Sequence, residues 1–341
     1  MRADGRRKLT MLAAGLMAGA VACSGAPETG LSAKVDPTPA ATGPAAEPAA
    51  TAALVTPEQA REVFATITST DNLARAMGSH MYAEQLNRDG QNSLTSTAFQ
   101  VNDGRPPTRA WGPPEVFVPR FTAEEGSPWF TALATRDGRP TLLTFVRGDS
   151  GWRLSLAAEL VPGEKAPEVA LDAEGYATVV PPEDKSVLIG PKFMAPLHAT
   201  VAETGSGGVA AELLTAGPYT TEVAAKSAAD RKKWELDGYS YDAIFTPGDN
   251  PVYALRTADG GALIQYTLTR ATTTTPATKS AESEGVPVPR EARWAIDVSR
   301  ARRSLKIYEV NQYATAVPPA TSTTRATVIA RDGAIHRAVG E

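Results

Sequence analysis

The sequence predicts an α+β protein: two tandem, diverged copies of a lobe in which helices precede a curved antiparallel sheet, set behind a signal peptide and a disordered tether. Three observations carry that prediction. The phrase GYATVVPP at residues 175–182 returns as QYATAVPP at 312–319, with six of eight positions identical. In each half, residues at helical spacing come before alternating, β-branched residues. Residues 1–55 show no periodic apolar pattern beyond one short run near the N-terminus. The expected boundaries are 1–22 signal peptide, 23–55 linker, 56–182 first lobe, 183–319 second lobe and 320–341 C-terminal extension. The second lobe is expected to carry a flexible insertion at about 271–292.

The N-terminus indicates location. Arg6, Arg7 and Lys8 form a positive n-region, and Thr10 to Ala22 is a short apolar run. A bilayer span needs ~20 apolar residues, so the run reads as a secretory signal rather than a membrane helix. Small residues lead into Cys23, the single cysteine of the chain. With one cysteine, no intramolecular disulfide and no cysteine-based metal site is available. The stretch Ala20-Val21-Ala22-Cys23 resembles a bacterial lipobox, which implies a diacylglyceryl group on the Cys23 thiol and cleavage just before it. Two acyl chains at ~0.8 kcal/mol per buried CH₂ anchor stably where one would be marginal. Arg6-Arg7 with Leu9 also resembles a twin-arginine export signal, beside the plainer reading of a basic n-region. Residues 24–55 are dominated by Pro, Ala, Thr and Gly and read as a disordered tether. At ~3.1 Å per extended residue it reaches roughly 90 Å.

Composition narrows the partners. Hydrophobic residues make up 42% of the chain, enough for globular cores, and the formal net charge is −4. A chain of that sign gains nothing from neutralising phosphates, so nucleic acid is not an expected partner. Three histidines, at 80, 198 and 336, are too scattered to suggest a metal cluster, and no cofactor is indicated.

The first lobe opens with a helix: Thr56 as N-cap, Pro57 in the first turn, Glu58 at the positive end. Val63, Ile67, Leu73 and Met77 form its apolar face, and a second helical piece is expected from Tyr82 to Leu86. Residues 128–160 read as a three-stranded meander turning at Asp137-Gly138 and at GDSG, 148–151. In the second lobe a helix covers PKFMAPLHATVAE with Pro196 as a kink or break, and another helix falls near 208–215. A hairpin spans 251–270, a strand holds Trp294, and a last strand is expected at Ala326 to Ala330. Further landmarks pair in order between the halves: Trp111 with Trp234, Pro128 with Pro251, Phe130 with Tyr253, Asp137-Gly138 with Asp259-Gly260, and Trp152 with Trp294.

Helices followed by a bent sheet resemble, by element order alone, the cone-shaped folds similar to nuclear transport factor 2. Together, the lipobox, the tether and the paired Asp-Gly, Trp and Tyr-Ala-Thr landmarks resemble uncharacterised actinobacterial, streptomycete-type secreted lipoproteins with a domain of unknown function. That resemblance implies a surface location and transfers no catalytic residue.

The remaining motifs read as structure. GDSG matches the string around a trypsin-like nucleophile, but the only upstream histidine, His80, lies in GSHMY, and a polar turn accounts for the string. His198 reads as a core-edge histidine and His336 as exposed. TGSGG at 204–208 lacks the Lys-Ser/Thr of a P-loop and reads as a loop between helices. Thr272 to Thr275 with Pro276 reads as a hairpin tip, and RARR at 300–303 as a solvated strand edge. Glu124-Glu125 and Glu183-Asp184 fall in loops.

No catalytic constellation emerges, which favours a non-enzymatic, lipid-anchored envelope protein binding a small molecule or a cell-envelope partner. Its other partner is the membrane, through diacylglyceryl-Cys23. Trp111, Trp129, Trp234 and Trp294 are the candidates to line a ligand cleft, with Trp152 beside them. The alternative is a cone-fold enzyme performing proton transfer or hydrolysis on an exported substrate, which requires a buried Asp, His or Tyr with a shifted pKa. A partner-docking subunit is the third reading.

Overall fold

Thr56 caps the first helix reciprocally: its Oγ1 accepts from the Gln59 N–H at 3.2 Å, and Gln59 Oε1 accepts from the Thr56 N–H at 2.9 Å. The computed structural model describes residues 54–121 and 126–341. The expected signal peptide, the linker up to residue 53, Cys23 and Glu124-Glu125 lie outside the described residues. Three helices come first: α1 (Pro57–Met77), α2 (His80–Gln85) and α3 (Asp89–Val101). Strands β1 (Glu115–Phe117), β2 (Trp129–Arg136), β3 (Arg139–Gly148) and β4 (Gly151–Leu160) follow. After helices α4 (Pro191–Thr204) and α5 (Thr221–Leu236) come β5 (Tyr239–Pro247), β6 (Tyr253–Arg256) and β7 (Ala262–Pro276). Helix α6 (Lys279–Glu284), the short pair β8 (Val286–Pro287) and β9 (Arg300–Ala301), and the long strands β10 (Leu305–Val317) and β11 (Thr327–Gly340) complete the chain.

The protein is α+β, with a large antiparallel sheet in the order β1-β2-β3-β4-β11-β10-β7-β5, and β6 alongside β7. The expected meander is β2-β3-β4. Its first turn places Asp137 at φ 52° and Gly138 at φ 81°, the paired left-handed conformation that matches strand twist.

The strands of both halves belong to one sheet. β11 joins β4 through two register pairs only, Ala330 with Leu160 and Arg331 with Glu159. Beyond them the strands part, and the buried side chain of Gln312 on β10 takes the place of a ladder. Its Oε1 accepts from the Ala157 N–H at 2.9 Å and its Nε2 donates to the Ser155 carbonyl at 3.1 Å. Gln265 forms a second bridge, accepting from Thr144 Oγ1 at 3.1 Å and donating to Thr131 Oγ1 at 2.8 Å. Gln312→Leu removes both partners from buried backbone groups. It should cost roughly 2 kcal/mol in urea unfolding, and an unchanged midpoint would show the seam does not depend on that amide.

Several elements differ from expectation. Helix α1 buries Ala60, Phe64, Ile67, Thr68, Asp71, Ala74 and Arg75, leaving Leu73 and Met77 53% and 64% exposed. The cause is the Asp71–Arg75 ion pair, 2.6 Å between Nε and Oδ2, which lets charged residues turn inward. Pro196 sits inside an unbroken α4. Residues 209–212 form a 3-10 turn, and the second helix of that half is α5. Thr272 and Thr274 are buried in β7 between β5 and β10, so residues 272–275 are not a hairpin tip. Within 271–292, β7 runs on to Pro276, followed by α6 and β8. Trp294 lies in a 3-10 turn, Arg290–Ala295, rather than a strand. The last strand extends well past Ala330 to Gly340 and occupies the middle of the sheet. Some paired landmarks occupy like positions: Asp137-Gly138 and Asp259-Gly260 each turn one strand into the next. Others do not. Tyr313-Ala314-Thr315 lies within β10, whereas Tyr176-Ala177-Thr178 lies in an irregular segment. Trp111 precedes β2, whereas Trp234 is in α5.

Candidate functional site

Strand alternation builds the floor of a cleft. Glu309, Asn311 and Tyr313 are alternate residues of β10 and so share one face. Arg270 on β7 is the register partner of Glu309, and Arg331 on β11 is the partner of Tyr313. Helix α5 forms the roof. Glu222, Lys226, Asp230 and Lys233, at helical spacing, line the cleft with Trp234.

The cleft contains two cavities of about 360 Å³ each, which share Lys226, Arg270 and Glu309. That volume is in the range of small-ligand sites. The first is also walled by Tyr219, Phe245, Asn311, Tyr313 and Arg331, the second by Trp234, Tyr241 and Ile335.

Its electrostatics are uneven. Arg270 lies 3.4 Å from Glu309, donates to the Tyr241 hydroxyl at 3.0 Å, and sits 5.5 Å from the Phe245 ring centroid. Arg331 donates to Asn311 Oδ1 at 2.7 Å and lies 5.5 Å from the Tyr219 ring centroid. Among the described residues no carboxylate pairs with Arg331, and the buried Nε atoms of Arg270 and Arg331 have no partner. Burial pushes the Tyr313 phenol up to about 12, opposed by Arg331.

His198 holds the wall behind this cavity. It is fully buried, with Nε2 2.6 Å from the Tyr219 carbonyl and Nδ1 2.8 Å from the Tyr266 hydroxyl. A carbonyl can only accept, so Nε2 carries the proton and Tyr266 donates to Nδ1. Tyr266 is 2.9 Å from Thr315 Oγ1, which then donates to it. Desolvation lowers the His198 pKa to about 4, partly offset by the bond to Tyr219. The histidine is thus part of the core, deeper than the core edge expected.

The structure does not gather the four tryptophans around one cavity. Trp111 packs on Phe64 and lines a void of about 10 Å³, close to the size that holds one water. Trp129 packs with Phe121 and Tyr253 and borders a surface cavity of about 450 Å³. There Arg120 is already paired with Asp172 and Glu174 at 2.8 and 2.7 Å. Trp234 lines the α5 cleft, and Trp294 is half-buried in its 3-10 turn. Trp152 packs against Phe130.

Ser150 of GDSG sits in the β3–β4 turn, where Arg153 Nη2 donates to it at 2.6 Å. Gly205–Gly207 is a 3-10 turn between helical segments. Glu183 pairs with Lys192, and Asp184 with Arg256. His336 is half-buried rather than exposed, and its pKa is lowered by burial and by Arg337. Arg300, Arg302 and Arg303 are exposed around the short β9. Among the described residues, no group of three or more His, Cys, Asp or Glu could hold a metal ion.

The family model described as a domain of unknown function, DUF8094, matches residues 51–340. The chain belongs to the DUF8094 family. This DUF8094 chain is 27% identical over 293 residues to Uncharacterized lipoprotein SCO6871 of Streptomyces coelicolor, covering 79% of this chain and 78% of that one. It is 28% identical over 220 residues to Uncharacterized lipoprotein SCO2278 of the same organism, covering 62% and 63% of the two chains. A third relative, named Uncharacterized lipoprotein, from Streptomyces avermitilis, is 28% identical over 149 residues, covering 42% and 43%. The resemblance to actinobacterial lipoproteins with a domain of unknown function therefore holds. No solved structure matches the DUF8094 chain significantly, so the likeness to nuclear transport factor 2 rests on element order alone. Among the described residues, no helix is long and apolar enough to cross a membrane.

Proposed function

We propose that this DUF8094 protein is a binding protein anchored to the extracytoplasmic face of the cell membrane by a diacylglyceryl group on Cys23, and that the α5 cleft is its ligand site. The observation that carries the binding reading is the cleft itself, a preformed space whose floor is laid by β7, β10 and β11 and whose roof is a helix of mostly polar residues. The basic n-region, the apolar run ending at Cys23 and the lipoprotein names of the relatives support the anchor. Binding is favoured over the cone-fold enzyme because His198, the fully buried histidine, spends both ring nitrogens on Tyr219 and Tyr266. The finer reading of the fold, two lobes descended from one, rests on the two Asp-Gly turns and the strands they join.

Intact mass and membrane fractionation of the native protein, beside Cys23→Ala, test the anchor. The expected result is a lipid adduct on Cys23 and release of the variant from the membrane fraction. An unmodified native chain still carrying its first 22 residues in the cytosol would sink the reading.

A further inference from the structure

The geometry points to a monoanionic ligand in the first cavity of the α5 cleft: a small carboxylate with a flat apolar body, its carboxylate held by Arg331 and its body against Tyr219, Phe245 and Tyr313. This inference rests on the cleft being the ligand site and adds the chemistry of what it takes.

The charge argument comes first. Lys226, Arg270 and Arg331 line the cavity with Glu222 and Glu309, so three cations face two carboxylates. The surplus is one positive charge, which suits a monoanion better than a phosphate dianion. Its location follows from burial and pairing: Lys226 is exposed to solvent, one helical turn from Glu222 on α5, whereas Arg270 and Arg331 are partly buried. Arg270 already has Glu309 at 3.4 Å and the Tyr241 hydroxyl at 3.0 Å. Among the described residues Arg331 has neutral partners, the Asn311 oxygen at 2.7 Å and the neighbouring Tyr313 phenol, and no carboxylate. A half-buried guanidinium without a counter-charge is unfavourable, and a ligand carboxylate supplies both the charge and a planar acceptor matched to the guanidinium fork. Asn311 fixes one Arg331 Nη2 and Tyr219 covers the guanidinium face, so the group is held in place before a ligand arrives.

The body of the ligand follows from the walls. Phe245 and Tyr313 are buried aromatic residues, and Tyr219 and Val223 pack at the edge of the same apolar cluster. Such walls accept a ring or a short branched chain. By contrast, the surface cavity beside Trp129 has its arginine, Arg120, paired with Asp172 and Glu174, and lacks the unmet charge.

The test uses benzoate and its neutral isostere benzamide as probes, on the folded protein, followed by calorimetry and by arginine side-chain NMR. Benzoate at tens of millimolar is expected to shift the Arg331 Nε–H resonance and to bind at least tenfold more tightly than benzamide. Arg331→Met should abolish the benzoate preference while leaving the melting temperature close to native, and Arg120→Met should leave benzoate binding unchanged. Equal binding of both probes in the cleft would overturn the anion inference and leave the cleft as a ligand site. Failure of both probes to perturb any cleft residue would overturn both the anion inference and the cleft as the ligand site. Benzoate binding that survives Arg331→Met would overturn the role given to Arg331.

Discussion

Asp71→Ala should lower the unfolding free energy by about 4 kcal/mol, because it leaves a buried guanidinium without its counter-charge. Arg75 is 2% exposed, and its Nε lies 2.6 Å from Asp71 Oδ2, one helical turn away. Its other contact is a long bond from Nη1 to the Pro107 carbonyl at 3.4 Å, and Nη2 has no partner among the described residues. Asp71 also opposes the fields that burial and Arg75 set up at Arg109, whose pKa is lowered to about 10. Removing one carboxylate therefore exposes two cations to each other in a poorly hydrated space. The double variant Asp71→Leu/Arg75→Met removes charge and counter-charge together and should recover most of the loss. Urea denaturation reads both values. A single-variant loss below about 1 kcal/mol would mean that water reaches the pair.

Acid should destabilise the protein through His198. The unfolded chain takes up a proton near the ordinary value of 6.5, whereas the folded chain resists until about 4. Between those values the unfolded state binds more protons, so stability falls as pH falls, by about 3 kcal/mol across the window, and this contribution levels off below it. The half-buried His336, also lowered, adds a smaller loss of the same sign. Asp172, Asp184 and Asp259, whose carboxyls are held below their ordinary values by hydrogen bonds, act further into acid. His198→Leu should flatten the profile between pH 4 and 6.5 while costing stability at neutral pH, since the Tyr219 carbonyl loses its donor. His336→Asn should leave most of the slope intact. A native profile that is flat above pH 4 would show that His198 is hydrated.

Sequence patterns revealed what regular periodicity encodes and missed what pairing encodes. The β2–β3–β4 meander was readable because β-branched residues alternate around Asp137-Gly138, whose turn chemistry is local. Helix α5 was not, because TEVAAKSAADRKKWEL buries only Ser227 and turns a charged face toward a cleft instead of an apolar stripe toward a core. The same blindness hid Asp71 and Arg75, which count as surface residues until their partner is known. Trp234 was the one proposed tryptophan that lines the α5 cleft. Arg270, Glu309 and Arg331 converge only through strand register. The sole sequence signal for them was the presence of charged residues inside long strand-patterned stretches.

The position of β11 bears on how the chain can be made. Its residues, 327–340, lie between β4 and β10 in the middle of the sheet. During synthesis, helices α1 to α3 and strands β1 to β4 emerge early, yet the edge of β4 must wait until residues 327–340 have left the ribosome. β10 likewise keeps one edge open until then. Such long-range closure is slow, and unpaired edges invite association with other chains. Until residues 327–340 are made, β4 and β10 each present an unpaired edge that other chains or chaperones can meet.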